Sequence, residues 1–258
     1  MEIRQVSFQV DSLNLVGEIY IPQSGQLSPG LCLCHGIPAA AYNPSAQDQG
    51  YPGLALRFGA AGFVTFIFNF RGAGRSAGNL DMLGWSRDLT AALDFVSSLK
   101  EVDKRRLSVM GFSAGAAVAV CVAAHDSRVT SLVTGACPAD FSFLLKSQPP
   151  SELLQRFRDI GVIKDKDFPP SLTSWLKGFD EISPTRWIRR ISPRPILVIH
   201  GGEDEVVPLE HARRLYNEAG EPKEIAIIPG AKHRLRLEEK AIDVALSWLK
   251  AKSHSLQI

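Results

Sequence analysis

Two periods of apolar residues alternate along this chain, and together they predict strands and helices in regular succession. Residues 6–10 alternate between apolar and polar side chains and residues 13–21 are rich in Leu, Val, Ile and Tyr, so we expect two antiparallel strands first. Short apolar runs predict further, mostly buried strands at 31–34, 63–70, 107–111, 129–134, 195–201 and 223–228. Apolar residues at three- and four-residue steps predict helices at 54–61, 84–99, 209–219 and 235–252.

This succession predicts one α/β domain with a mostly parallel sheet, built from right-handed crossovers and covered by helices on both faces. The regular pattern breaks between 141 and 187, where helical fragments are interrupted by prolines and carry three exposed-looking aromatic residues, Phe168, Trp175 and Phe179. We therefore predict a core formed by 1–140 and 188–258, with a small helical cap insertion at 141–187 over the carboxyl edge of the sheet.

The stretch 107–124 combines a short apolar strand, Gly111-Phe112-Ser113-Ala114-Gly115, and an Ala/Val run too long for a strand, which predicts a buried helix. This is the G-x-S-x-G pattern of a nucleophile elbow, in which the serine sits at a strained turn between strand and helix. A side chain at either glycine would collide with a neighbouring strand or helix. Ser76 also matches the pattern, but its surroundings at 71–79 are too rich in glycine for either element, so we favour Ser113 as the nucleophile.

A serine hydroxyl needs a base and a group that orients that base. Asp204 lies on the loop after the strand at 195–201, and His233 lies on the loop after the strand at 223–228, so both should reach the sheet edge where Ser113 emerges. Glu203 and Glu205 flank Asp204 and are alternatives for the acid. The other histidines are interpreted as structural or surface residues, with His35 shaping a loop and His200 buried; the rest are His125, His211 and His254.

Composition limits the partners and the compartment. The formal net charge of +2 is too close to balance for a nucleic-acid surface, so the expected partner is a small molecule. The N-terminus lacks the pattern of a signal peptide, and the longest apolar run is far shorter than the roughly 20 residues of a membrane span. Four cysteines in apolar runs favour a reducing cytoplasm. We therefore expect a cytoplasmic protein with no membrane insertion; a homodimer is left open.

Cys32, Cys34 and His35 are residue types that bind metals, and they lie close together in the sequence. In a strand the two cysteines point to one face and the histidine to the other, and no second pair of ligands follows at metal spacing. We therefore expect no metal and no cofactor.

The chain resembles the α/β-hydrolase superfamily over nearly its whole length, and it is most similar to serine-aminopeptidase-like and dienelactone-hydrolase-like esterases. The resemblance is carried by His35-Gly36, the loop 69–76, the elbow 111–115, the turn 201–204 and the segment 230–233, in the order serine, acid, histidine. Asn69 departs from the pattern, since relatives often have aspartate there as a loop support. The elbow serine disfavours dehalogenases and epoxide hydrolases, which carry aspartate at that position.

The resemblance implies a serine hydrolase that cleaves a carboxylic ester through Ser113, His233 and Asp204, with the backbone N–H groups of Ile37 and Ala114 as the oxyanion hole. A peptidase or a thioesterase on the same triad stays open, and so does a non-catalytic binding protein of this fold.

Trp175 and Phe179 are candidates for lining an acyl pocket or, as an alternative, for packing the insertion onto the core. Arg234 and Arg236 are candidates for attracting an anionic substrate, or else are surface charges at a helix start.

Overall fold

An eight-stranded sheet forms the centre of the protein in a computed structural model that describes residues 1–23, 25–38 and 48–254. The strand order is β1-β2-β4-β3-β5-β6-β7-β8. β1 pairs with β2 and β2 with β4 in antiparallel fashion, and the remaining pairs are parallel. The strands are β1 (Glu2–Val10), β2 (Leu13–Ile21), β3 (Ser28–Cys34), β4 (Val64–Phe68), β5 (Val102–Phe112), β6 (Val129–Gly135), β7 (Ile196–Gly201) and β8 (Lys223–Ile228).

Helices cover both faces of this sheet. The long helices are α1 (Gly50–Ala60), α2 (Met82–Ser98), α3 (Ala114–His125), α7 (Leu209–Glu218) and α8 (Glu239–His254). α1 and α8 pack in one apolar layer, and α2, α3 and α7 pack in the other. The predicted α/β architecture with a mostly parallel sheet is therefore confirmed. Within the described ranges, no helix is long and apolar enough to cross a membrane.

β3 illustrates why its sequence lacks polar alternation. Leu31 and Leu33 point into the layer of α1 and α8, while Cys32 and Cys34 point into the opposite layer. All four side chains are at most 1% exposed. A strand buried on both faces must be apolar at every position, because neither face reaches water.

Two boundaries differ from the sequence expectation. β5 begins at Val102, before the predicted start of this strand at residue 107, and it includes a charged run at 103–106. Asp103 in that run is buried and pairs with Arg106, which lets charged residues extend the strand. The closing helix starts later than expected, because Leu235–Leu237 forms a separate 3₁₀ turn and Glu238 is extended before α8.

The span between β6 and β7 is helical, as expected. It contains α4 (Ser142–Lys146), α5 (Pro150–Asp159) and α6 (Leu172–Glu181). α5 and α6 are amphipathic, and their apolar faces bury Phe157, Trp175 and Phe179 in the same layer as α2 and α3. The expectation that Trp175 and Phe179 are exposed was wrong, because these two rings hold the insertion onto the core. The domain limits at 141 and 187 stay a prediction.

Candidate active site

Ser113 lies at the sharp turn between β5 and α3. Its φ of 52° is in the left-handed region that non-glycine residues rarely adopt, and the Ser113 N–H donates to Gly135 O at 2.8 Å. A Cβ on Gly115 would lie 2.1 Å from the His35 carbonyl oxygen, and one on Gly111 would lie 2.6 Å from the Cα of Ala116. The two glycines are therefore required by close backbone approach, as the sequence pattern predicts.

The structure brings Ser113, His233 and Asp204 into one chain of hydrogen bonds. Ser113 Oγ is 3.0 Å from His233 Nε2. His233 Nδ1 is 3.0 Å from Asp204 Oδ1 and 2.9 Å from Oδ2. Because a carboxylate only accepts, Nδ1 carries the ring proton and Nε2 is left free to accept a proton from the serine. This arrangement is that of an activated nucleophile.

The carboxylate of Asp204 is fully enclosed, with 0% of its side chain exposed. Its Oδ1 accepts hydrogen bonds from the N–H groups of Val206 at 2.9 Å and Val207 at 2.8 Å. Burial opposes ionisation, but hydrogen bonds from His200, His233 and the Val207 N–H outweigh it and hold the pKa of Asp204 well below its usual range. Asp204 is therefore ionised at neutral pH and can stabilise a protonated His233.

The loop after β3 borders the serine from the side of the predicted oxyanion hole. A Cβ on Gly36 would lie 2.9 Å from the Cβ of Ser113, so this backbone touches the nucleophile, and Ile37 lines the same cavity. His35 holds the loop. Its Nε2 accepts the N–H of Phe70 at 3.1 Å, so its Nδ1 carries the proton and faces Gly36 O at 2.7 Å. Burial lowers the pKa of His35, which keeps the ring neutral.

The cavity over Ser113 has a volume of about 530 Å³. Its walls come from the loop after β3, Tyr51 on α1, the loop after β4, and residues 233–236. Both arginine candidates, Arg234 and Arg236, line it, and Arg236 is also bound by the carboxylate of Asp48 at 2.6 and 2.7 Å. Tyr51 was missed by the sequence analysis, because nothing in its local pattern indicates that α1 reaches the serine.

Trp175 and Phe179 are not among the described residues that line this cavity. Trp175 is 4% exposed, its Nε1 donates to Leu80 O at 2.8 Å, and its ring contacts Phe179 edge to face. These contacts correspond to the alternative in which both rings pack the insertion onto the core.

The loop after β4 forms one wall of the cavity through Asn69, Ala73 and Gly74. Ser76, the second match to the elbow pattern, is 1% exposed; its Oγ donates to Asn69 O at 2.6 Å and accepts the Val16 N–H at 3.1 Å. It is thus a structural residue of this loop.

Arg71 anchors the same loop through a buried ion pair with Asp88 at 2.6 Å. Asp88 Oδ2 also accepts the backbone N–H of Arg71 at 2.9 Å, so the pair holds the backbone of this loop as well as the side chain.

His200 is a further residue whose contacts the sequence analysis missed. It was interpreted as a buried structural histidine, and it is fully buried, but its Nε2 lies 3.3 Å from Asp204 Oδ2. The spacing of four residues between His200 and Asp204 could have indicated proximity only if the shape of the loop after β7 had been known.

Comparison with known proteins gives relatives that are similar in sequence over about two thirds or more of this chain. The chain is 27% identical to the uncharacterized protein Rv2307c of Mycobacterium tuberculosis over 228 residues, which cover 86% of this chain and 69% of that protein. It is 27% identical to the uncharacterized protein YfhR of Escherichia coli K12 over 66% of this chain and 53% of that protein. The chain thus spans about half the length of the YfhR proteins that it matches.

Solved structures share the fold over almost the full chain. The α/β hydrolase GrgF from Penicillium superposes with a TM-score of 0.77 at 20% identity, covering 98% of this chain and 100% of that one. The esterase domain of a Rhodothermus marinus protein gives a TM-score of 0.71 at 20% identity, covering 98% and 99%. The model of the prolyl oligopeptidase family matches residues 55–255, which include the elbow and both loops that bear Asp204 and His233. The chain therefore belongs to the prolyl oligopeptidase family and has the α/β-hydrolase fold.

Proposed function

We propose that the protein is a serine hydrolase that cleaves a carboxylic ester through an acyl-enzyme. The observation that carries the proposal is the unbroken hydrogen-bond chain from Asp204 through His233 to Ser113 Oγ at the floor of an open cavity. A serine that only packs in the core does not require a base that is itself oriented by an ionised acid, whereas a nucleophilic serine does.

In the proposed reaction, His233 Nε2 takes the proton of Ser113 as Oγ attacks the ester carbonyl carbon. The resulting oxyanion accepts hydrogen bonds from the N–H groups of Ile37 and Ala114, and Asp204 stabilises the imidazolium. The bond to the alcohol oxygen then breaks, and His233 gives that oxygen its proton. Water attacks the acyl-enzyme with His233 as base, which releases the carboxylic acid and restores Ser113.

The charges around the cavity favour an ester over the substrate of an aminopeptidase. Such an enzyme has to hold a protonated amino group, which calls for a carboxylate in the site. None of the described residues that line the cavity is Asp or Glu, and the segment 39–47, outside the described residues, has none in its sequence. An ester needs no such partner. We extend the proposal to a cytoplasmic location, since the four cysteines are free.

The test is hydrolysis of p-nitrophenyl esters from acetyl to palmitoyl by the wild type, Ser113→Ala and Ser76→Ala. We expect Ser113→Ala to lose at least a thousandfold in kcat, because no other group can form the acyl-enzyme. Ser76→Ala should keep its activity and lose about 1 to 2 kcal/mol of stability with its two hydrogen bonds. The dependence on acyl length measures how much of the cavity an acyl chain can use.

Aminoacyl p-nitroanilides and acyl thioesters run in parallel separate the peptidase and thioesterase alternatives. A wild type that hydrolyses the anilides faster than the esters would replace ester cleavage by peptide cleavage. A wild type without activity on any of the three, and without labelling by a fluorophosphonate, would favour the non-catalytic binding protein.

A further inference from the structure

His200 stands at the end of β7, directly behind the acid of the site. Its ring is fully buried, and its Nε2 lies 2.8 Å from Val207 O and 3.3 Å from Asp204 Oδ2. Both oxygens can only accept, so Nε2 must carry a proton, which it shares between the carbonyl and the carboxylate. His200 thereby ties the strand, the loop and the acid together.

The other ring nitrogen of His200, Nδ1, is buried and has no hydrogen-bond partner among the described residues. Two histidines are ionisable neighbours: His233 beyond Asp204, and His211 on α7, where burial lowers the pKa and whose Nδ1 accepts the Ala139 N–H. The residues of β6 and β8 that pair with β7 around this point are uncharged. The contacts therefore place a ring proton of His200 on Nε2.

We propose that His200 is a positioning residue for the reaction: its Nε2–H holds Asp204 Oδ2, so that the carboxylate keeps both oxygens facing His233. The inference rests on the proposed function, since it assigns a role relative to the acid of that reaction. Among the described residues, four N–H donors lie near the Asp204 carboxylate, from Val206, Val207, His233 and His200. Of these four, His233 and His200 are the two that contact Oδ2, so removal of His200 leaves that oxygen with His233, the base it must orient, as its remaining donor within this part of the chain.

The role predicts a kinetic effect together with a change in pH dependence. With His200→Leu, Asp204 Oδ2 loses one of its two donors and the charge of the carboxylate acts more strongly on His233, so we expect the acidic limb of the pH–rate profile to move to higher pH. We expect the plateau rate to fall about tenfold, the lower end for a hydrogen bond to a charged group, because this bond is long and its proton is shared. His200→Gln places an amide N–H near the position of Nε2 and should restore the rate to within about threefold.

The assay is the rate of phosphonylation of Ser113 by a fluorophosphonate between pH 5 and 9, with Ser113→Ala as the blank. It measures activation of the nucleophile without knowledge of the substrate. His211→Leu is the matched control, because it removes a second buried histidine that makes no contact with Asp204. We expect this control to lower the melting temperature and to leave both rate and pH profile unchanged.

Three outcomes are informative. A slower and shifted His200→Leu with a restored His200→Gln supports the role. A His200→Leu that reacts like the wild type, or a His200→Gln as slow as His200→Leu, overturns it. A wild type that is not labelled at all overturns the proposed function, and the inference with it.

If His200→Leu does not fold, ¹⁵N NMR of the histidines in the wild type tests the same contact. We expect the ring of His200 to carry a proton on Nε2. A proton on Nδ1 alone would break the contact with Asp204 and overturn the inference.

Discussion

Replacing Asp204 by asparagine tests the proposed mechanism most directly, because it changes one oxygen to an NH₂ group with almost no change in volume. The asparagine oxygen should stay where Oδ1 accepts the N–H groups of Val206 and Val207, at 2.9 and 2.8 Å. The NH₂ group then takes the place of Oδ2 and faces His233 Nδ1, now 2.9 Å away. The asparagine oxygen remains 3.0 Å from Nδ1 but already accepts the two backbone N–H groups, and the NH₂ group only donates. The tautomer of His233 with a lone pair at Nδ1 and the proton on Nε2 is therefore favoured.

That change of tautomer disables the base. Nε2 lies 3.0 Å from Ser113 Oγ, and with a proton of its own it cannot accept the proton of the serine. The ring also loses the anion that stabilises its charged form. The corresponding change in a serine protease costs about 10⁴-fold in kcat, which is about 5.5 kcal/mol of activation free energy. We expect a loss of this size at pH 7 and little change in KM.

The assay is kcat and KM on the best p-nitrophenyl ester of the series, measured below the melting temperature of each variant. Glu203→Gln and Glu205→Gln are the matched controls, since these exposed neighbours undergo the same chemical change. Both should stay within about twofold of the wild type. An Asp204→Asn that keeps a tenth or more of its activity, or a control that loses as much as Asp204→Asn, would refute the assignment of the acid.

Three further predictions concern the scaffold. Gly115→Ala should destabilise the protein by several kcal/mol or abolish soluble expression, because its Cβ would lie 2.1 Å from a backbone oxygen. Gly202→Ala is the control and should fold normally, because a Cβ there lies 3.4 Å from its nearest atom. Urea unfolding of both variants measures the difference in stability. Burial lowers the pKa of His35 and His211, so below pH 6.5 the unfolded chain binds more protons at these residues than the folded protein does. The stability that the two neutral rings contribute is therefore complete above that pH and falls on acidification, by at most about 1.4 kcal/mol per pH unit for each histidine. A protein that is more stable at pH 5.5 than at pH 7.5 would contradict this. Trp175→Phe should cost about 1 to 2 kcal/mol with its buried hydrogen bond and leave the acyl-length profile unchanged; a changed profile would place the indole in the substrate pocket after all.

The pattern of the sequence was sufficient for the architecture and for the position of the elbow that carries Ser113. Strands covered on both faces, such as β3, have to be apolar at every position, and the amino-acid sequence shows this as an uninterrupted apolar run. The elbow is equally local, because the glycines at 111 and 115 are required by atoms that the turn brings close wherever it occurs. Asp204 and His233 could be chosen because the ends of parallel strands share one edge of the sheet.

Contacts between distant segments depended on the tertiary structure. Trp175 and Phe179 looked exposed because their segment is charged and rich in proline, but amphipathic helices bury them against the core. The periodicity of a segment says which residues share a face, and it does not say what that face meets.

The contact of His200 with Asp204 and the place of Tyr51 in the cavity wall have the same cause. Each depends on the path of a loop or the direction of a helix, which is set by packing between segments far apart in the chain. The members of the candidate site could thus be chosen from residue types and their order along the strands, whereas the shape of its cavity and the contacts around Asp204 were decided by three-dimensional packing alone.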